Sequence, residues 1–151
     1  MRMRVDTKAY GTIEVDERQR IEFPYGILGF EKLKSYVLLD APQQPFYWLQ
    51  ALDLVKVAFV LINPVIFRPD YTVEVPPEEL EEIGIDSFDK MLSFAIVTIP
   101  QNPTEMTANL QGPIIINKEN RVGRQSISTN SKWEVRHPIL KELAAVRQEP
   151  C

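Results

Sequence analysis

Apolar and polar positions alternate along this chain in short stretches, each closed within several residues by a turn signal. Over residues 4–10, Val5, Thr7 and Ala9 fall on one side and Arg4, Asp6, Lys8 and Tyr10 on the other. A period of two marks a strand with one wet face. Gly11 permits a bend, and residues 12–15 resume the alternation through Ile13 and Val15. A polar turn at 16–19 leads into a short strand at 20–23. Residues 21–31, Ile-Glu-Phe-Pro-Tyr-Gly-Ile-Leu-Gly-Phe-Glu, follow as a bend punctuated by Pro24, Gly26 and Gly29. Proline presets a negative φ and glycine tolerates a positive one. The stretch therefore predicts a packed corner between strands, with Phe23 and Phe30 anchoring its ends in a core and Ile27 and Leu28 inside it.

Lys32 and Lys34 around Leu33 read as one helical turn. Residues 36–39 predict a strand buried on both faces. The aromatic-rich residues 45–51 and the apolar run 57–62, closed by Asn63-Pro64, predict two more. Residues 66–71, broken by Pro69, read as an irregular edge segment. Residues 91–99 form a strand with Leu92, Phe94 and Ile96 facing inward, and 105–110 and 113–117 form two others. A turn at 118–121 returns the chain along 123–129, and 132–137 alternates with Trp133 and Val135 inside. Helical spacing occurs twice. Residues 76–84 place prolines in the first turn, acids near the positive end of the dipole, Leu80 and Ile83 three apart, and Gly84 at the end. After Pro138, the residues Ile139, Leu143 and Val146 recur at i, i+4 and i+7.

Many short strands without strand–helix alternation predict a mainly β fold. The expected architecture is a single-domain antiparallel β-barrel, or a barrel-like sandwich, over residues 1–151. It carries a short acidic helix and a C-terminal helix over 138–151 whose end frays. Closure into a barrel would remove exposed strand edges.

Composition narrows the function. The 151 residues are 44% hydrophobic and 25% charged, enough for one domain with a substantial core. No apolar run approaches the roughly 18–20 residues of a membrane span. The basic start, Met-Arg-Met-Arg, lacks an apolar stretch behind it, so the expected location is cytoplasmic with no membrane association. A net charge of −4 disfavours general nucleic-acid binding and fits a basic protein partner better. The single cysteine, Cys151, allows neither an internal disulfide nor a cysteine-based metal site and reads as incidental.

Catalytic chemistry has little to stand on. His137, the sole histidine, lies at a strand end beside Arg136 and Pro138, and no Gly-x-Ser-x-Gly elbow accompanies it. There is no glycine-rich phosphate loop, and most carboxylates fall in turns or on wet strand faces. No enzyme activity, cofactor or metal is expected. Glu78, Glu79, Glu81 and Glu82 form either a solvated helix face or an acidic patch that steers a basic partner. Tyr47, Trp48 and Gln50 are either core residues or interface anchors, with the core assignment preferred for Trp48. Two rivals to a protein-binding regulator have stated requirements. A small β-barrel hydrolase needs an acid–base set around His137 or two carboxylates in one cleft. A single-stranded RNA-binding module needs a basic, aromatic-lined groove drawn from the seventeen lysines and arginines.

Several motifs in order go further. Phe-Pro-Tyr-Gly-Ile-Leu-Gly-Phe-Glu at 23–31, Pro-Phe-Tyr-Trp-Leu-Gln at 45–50 and Ala-Asn-Leu-Gln-Gly-Pro-Ile-Ile-Ile-Asn at 108–117 resemble the FliW family of flagellar assembly factors. Asn63-Pro64, Gly123-Arg124-Gln125 and Trp-Glu-Val-Arg-His-Pro at 133–138 continue the resemblance, which runs from Tyr10-Gly11 to Pro138. Tyr25 stands where the family more often has a charged residue, and Ile27-Leu28 replaces a more usual Leu-Pro. The resemblance implies a non-catalytic cytoplasmic regulator with two alternative partners. One is flagellin; the other is CsrA, the small basic dimeric repressor of flagellin messenger RNA translation. Secretion of flagellin then frees the factor to capture CsrA, by an antagonism that in the family acts beside the RNA-binding surface. On that implication, Glu78, Glu79, Glu81 and Glu82 would supply the steering field. Exposed members of segments 46–50 and 109–117, among them Tyr47, Gln50, Asn109 and Asn117, would help form a protein-binding face.

Overall fold

A computed structural model describes residues 1–148, with side chains through Val146. The frayed end expected at the C-terminus, with Cys151, lies outside the described residues. Strands β1 (Arg2–Thr7) and β2 (Gly11–Asp16) pair as an antiparallel hairpin, from Arg2 opposite Asp16 to Thr7 opposite Gly11. The Thr7 hydroxyl donates to the Gly11 carbonyl and accepts from the Tyr10 N–H. These bonds end the strand at Thr7, so Ala9 is exposed in the turn and does not face inward as the alternation predicts. A 3-10 turn (Glu17–Gln19) leads to β3 (Arg20–Glu22), β4 (Ser35–Asp40), β5 (Phe46–Ala51) and β6 (Ala58–Ile62). Helix α1 (Pro77–Glu82) precedes β7 (Met91–Thr98), β8 (Thr107–Asn117) and β9 (Val122–Gln125). The short β10 (His137–Pro138) runs into α2 (Ile139–Gln148).

Pairing runs β8-β7-β6-β5-β4-β3-β9, and β9 pairs back onto β8, so these seven strands close a barrel. β10 adds to the first residues of β8. Every contact around the barrel is antiparallel except the seam between β3 and β9. That seam is parallel and has one ladder pair, Glu22 opposite Val122, with the Glu22 N–H donating to the Arg121 carbonyl. The two strands expected at 105–110 and 113–117 are one strand interrupted by a bulge. Phe94 faces Ile114, but Ile96 faces Asn109. The Asn109 carboxamide oxygen accepts from the N–H groups of Gln111 and Gly112 and holds the bulge.

The alternation of each strand sorts side chains between the barrel interior and three outer patches. Ile21, Phe23, Tyr36, Leu49, Leu61, Phe94, Ile114 and Ile116 fill the interior. Outside, the β1–β2 hairpin lays Val5 and Val15 on Val37 and Leu39. The α2 residue Ile139, with Trp133, covers Ala95, Val97, Ala108 and Leu110. Ile83 and Ile85, at the end of α1, cover Ile115. These covers explain why residues 36–39 and the isoleucine run are apolar on both faces: Ile114 and Ile116 point in, and Ile115 points out beneath α1.

The bend at 21–31 closes one end of the barrel. Phe23 is fully buried, edge-on to Tyr36 with ring centroids 5.2 Å apart. Its ring crosses Gly123 so closely that a Cβ there would stand 2.9 Å from it. Gly26 has φ +68°, and a Cβ on it would meet the Glu31 backbone at 2.5 Å. The Phe30 N–H donates to the Ile27 carbonyl, a tight reversal that turns Ile27 inward and carries Leu28 and Phe30 to the surface. Only the Phe23 end is therefore anchored in the core. Phe30 stays 39% exposed, edge-on to Phe59. Residues 32–34 form no helical turn.

Near the C-terminus, the strand expected at 123–129 is shortened to β9, and the strand expected at 132–137 is lost except for His137 in β10. The paired ladder with β8 ends at Gln125; Ser126 and Ser128 still donate their N–H groups to the Pro113 and Gln111 carbonyls, and the Thr129 N–H then crosses to the Glu74 carbonyl. Asn130 accepts from the N–H groups of Lys132 and Trp133, through its side chain and its carbonyl respectively, so residues 132–136 turn. Trp133 is buried as expected, whereas Val135 is 51% exposed. Residues 66–71 stay outside the sheet but bury Phe67 and Tyr71.

Gly26→Ala and Gly29→Ala test the closure within one bend. Both glycines have positive φ, but an added Cβ at Gly29 meets nothing within 4 Å. Gly29→Ala is expected to cost about 1–2 kcal/mol for the left-handed backbone. Gly26→Ala adds roughly 1–3 kcal/mol of overpacking. Equal losses in urea unfolding would show that the approach to Glu31 carries no weight. A second expectation concerns Tyr36, whose buried hydroxyl has no hydrogen-bond partner among the described residues. Tyr36→Phe is expected to raise stability by about 1 kcal/mol, because an unmet polar group costs that order. Burial pushes the Tyr36 hydroxyl up to about 12. Its contribution to stability is intact below the ordinary tyrosine value near 10 and is lost as pH rises toward 12. Tyr36→Phe should flatten the alkaline limb of the stability profile, and an unchanged limb would contradict this.

Candidate functional site

Helix α1 stands on the outside of the barrel beside β9, and its four glutamates divide by helical spacing. Glu79 and Glu82, three apart, both reach Arg124 of β9. Glu79 meets one terminal nitrogen at 3.0 Å and Glu82 the other at 2.5 Å. The Arg124 side chain is 15% exposed, and its guanidinium stacks over the Tyr25 ring at 5.0 Å. One cation thus ties the bend, β9 and α1 together. Glu78 and Glu81 point to solvent with no ion pair among the described residues. The acidic patch read from the sequence is half solvent-facing and half committed to holding the helix.

The other expected contact residues are placed mainly in internal roles. Tyr47 is half-buried and packs edge-on to Phe94 at 5.2 Å, against the barrel interior. Gln50 is 1% exposed. Its amide nitrogen donates to the carbonyls of Ala51, Val55 and Val57, and its oxygen accepts from the Lys8 N–H. It joins the β5–β6 loop to the hairpin, so its side chain does not form part of an exposed face. Asn109 holds the β8 bulge. Asn117 is buried, donating to the Ile83 carbonyl at 2.9 Å and accepting from the Glu119 N–H. Asn120 donates to the same carbonyl, so two asparagines fix the end of α1. Trp48 lies half-buried under the β1–β2 hairpin, in agreement with the core assignment.

His137 comes nearest to a catalytic arrangement and lacks the geometry. Its Nε2 accepts from the Glu134 N–H at 2.9 Å, which puts the ring proton on Nδ1, 3.1 Å from Glu142. A general base needs a free nitrogen facing a nucleophile, and here both are occupied by structure. Arg68 joins the cluster. It pairs with Glu142 at 2.7 Å and Asp70 at 2.9 Å, and stacks over Trp133 at 4.8 Å. Arg68 and Lys132 hold the Asp70 carboxyl well below the usual carboxylate range. The whole set fastens α2 to the barrel. Among the described residues, no group of three or more histidine, cysteine or acidic side chains could hold a metal ion. Nor, among them, is any helix long and apolar enough to cross a membrane.

Arg124 is the site residue that sequence reasoning missed. Its signal was present in pieces: an aromatic at position 25, an arginine on a short strand, and two glutamates three apart. Nothing in the sequence says that these meet, because they come from positions separated by up to a hundred residues.

Comparison with known proteins accounts for the same set of motifs. The FliW protein family matches residues 4–139. The flagellar assembly factor FliW of Treponema denticola is 45% identical over 143 residues, covering 95% of this chain and 97% of that protein. The protein of the same name from Leptospira interrogans is 43% identical over 146 residues, covering 95% and 97%. That of Caldanaerobacter subterraneus is 43% identical over 143 residues, covering 93% and 95%. A crystal structure of a flagellar assembly factor FliW superposes with a TM-score of 0.84 at 34% identity, covering 91% of this chain and 96% of that one. Barrel, motifs and near-complete coverage agree, and the chain belongs to the FliW protein family, whose named members are assembly factors and not enzymes.

Proposed function

We propose that this chain acts in flagellar assembly as a non-catalytic cytoplasmic regulator that binds flagellin and, alternatively, the translational repressor CsrA. While flagellin accumulates it occupies the factor. Once flagellin is exported, the factor captures CsrA, and translation of flagellin messenger RNA resumes. The observation that carries this reading is kinship along nearly the whole chain to proteins named flagellar assembly factors. The acidic α1 supports it. Glu78 and Glu81 project into solvent on a chain of net charge −4, a field suited to a basic RNA-binding dimer. An interface of about 800 Å² per partner needs a few buried anchors and no cleft.

Mixing the purified protein with flagellin and with CsrA loaded on flagellin leader RNA tests the reading. The expected outcome is a complex with each protein, release of the RNA, and loss of that release when excess flagellin is added. Absence of both complexes would end the proposal. Within it, E78K/E81K should slow CsrA association by roughly tenfold at low salt, with the difference shrinking as salt screens the field. Glu79→Gln should act mainly on stability, by loosening α1 from Arg124. Equal association rates for wild type and E78K/E81K at low ionic strength would remove α1 as the steering element.

A further inference from the structure

The end of the barrel closed by the bend carries a second surface of the opposite character. The reversal at 27–30 leaves Leu28 59% and Phe30 39% exposed, and the β5–β6 loop adds Leu54 at 46% and Val55 at 40%. The structure places both segments at one end. The Leu52 N–H donates to the Ser35 carbonyl, Phe30 packs on Phe59 of β6, and Gln50 holds the Val55 carbonyl together with the Lys8 N–H. Lys8, Lys32, Lys34 and Lys56 are all exposed around these apolar side chains. None of the four meets a carboxylate at ion-pair distance among the described residues. The neighbouring acids include Glu31, Asp53 and Glu22; Glu31 already accepts from the Gly29 N–H, and Glu22 is paired with Arg20. On a chain of net charge −4, this end is locally positive.

We propose that this end is a docking surface for an acidic amphipathic segment of a protein partner. The exposed Leu28, Phe30, Leu54 and Val55 take its apolar ridge, and the four lysines meet its carboxylates. An apolar centre with a charged rim is the general anatomy of a protein interface. A second copy of the chain fits poorly, because a symmetric contact would set these lysines against one another. An anionic membrane or an extended nucleic acid would face the negative charge of the whole molecule, whereas a single segment meets only the local field.

The inference rests on the reading above, in which flagellin and CsrA are the partners. The basic CsrA is assigned there to Glu78 and Glu81, so the acidic segment belongs to flagellin. Two variants that change only exposed side chains test the surface, K32E/K34E/K56E and L28S/V55S. Each is titrated with flagellin and with CsrA, and pelleted with phosphatidylglycerol vesicles. Both variants should weaken flagellin binding by at least about tenfold while leaving CsrA binding within about twofold of wild type. Wild-type affinity of both variants for flagellin would overturn the surface and leave the broader reading standing. Vesicle binding lost in the lysine variant with flagellin binding intact would assign the end to a membrane instead. A wild-type protein that binds neither flagellin nor CsrA would sink the broader reading and this inference with it.

Discussion

Closing the barrel between β3 and β9 is the constraint on which the rest depends. Every other neighbour in the sheet is held by an antiparallel ladder, but this seam has one parallel pair. Side chains and turns do the remaining work. Phe23 crosses Gly123, the Leu28 N–H donates to the Gln125 carboxamide, and Arg124 stacks on Tyr25. The bend at 21–31 is therefore the clasp of the barrel as well as a corner between strands. Its two close approaches, Gly123 to a ring and Gly26 to the Glu31 backbone, admit no Cβ without displacement. The seam also sets the position of α1, because the Arg124 that stacks on the bend is the residue that Glu79 and Glu82 grip.

Local pattern made most of the strands and both helices legible. Residues 91–98 show how: Leu92, Phe94 and Ile96 alternate with neighbours on the outer face, where Met91 meets the α1 patch and Ala95 and Val97 the α2 patch, and the structure places all three toward the interior. Pattern failed where a polar side chain offered the backbone a competing partner. Residues 132–137 alternate cleanly, yet Asn130 captures the Lys132 and Trp133 N–H groups and the segment turns. Thr7 likewise ends β1 before Ala9. Candidate site residues were less legible, because an exposed glutamine and a buried one look alike in sequence. Gln50 and Asn117 sit in the segments that carry the family resemblance, and the structure engages both with loop backbone.

The distribution of charge follows from this division of labour. Two of four helix glutamates are drawn to Arg124, which leaves Glu78 and Glu81 as an acidic edge. Lys8, Lys32, Lys34 and Lys56 lie at the barrel end, where the bend and the β5–β6 loop are exposed. A net charge near −4 conceals this polarity, so whole-chain charge is a poor guide to which partner meets which face. Surface fields act over about a Debye length, roughly 8 Å at physiological salt. Two faces of opposite sign on one rigid barrel can therefore select different partners without sharing residues.

The rival readings meet geometric obstacles at the residues that suggested them. A hydrolase built on His137 would need it to offer a free nitrogen, but Nε2 is bound to the Glu134 N–H and Nδ1 faces Glu142, which Arg68 also holds. Breaking those bonds to free the imidazole would also loosen α2. An RNA-binding groove would need aromatic faces beside basic side chains. Of the aromatics that suggested it, Tyr47 packs against Phe94 and Trp48 lies under the hairpin; Phe30, exposed beside lysines, sits edge-on to Phe59 among aliphatic side chains, and the Tyr25 ring is covered by Arg124. The polar side chains with the best geometry in this protein are engaged in fixing loops and helix ends. A scaffold stiffened in that way is suited to presenting a fixed surface to another protein, because little conformational freedom remains to be lost on association.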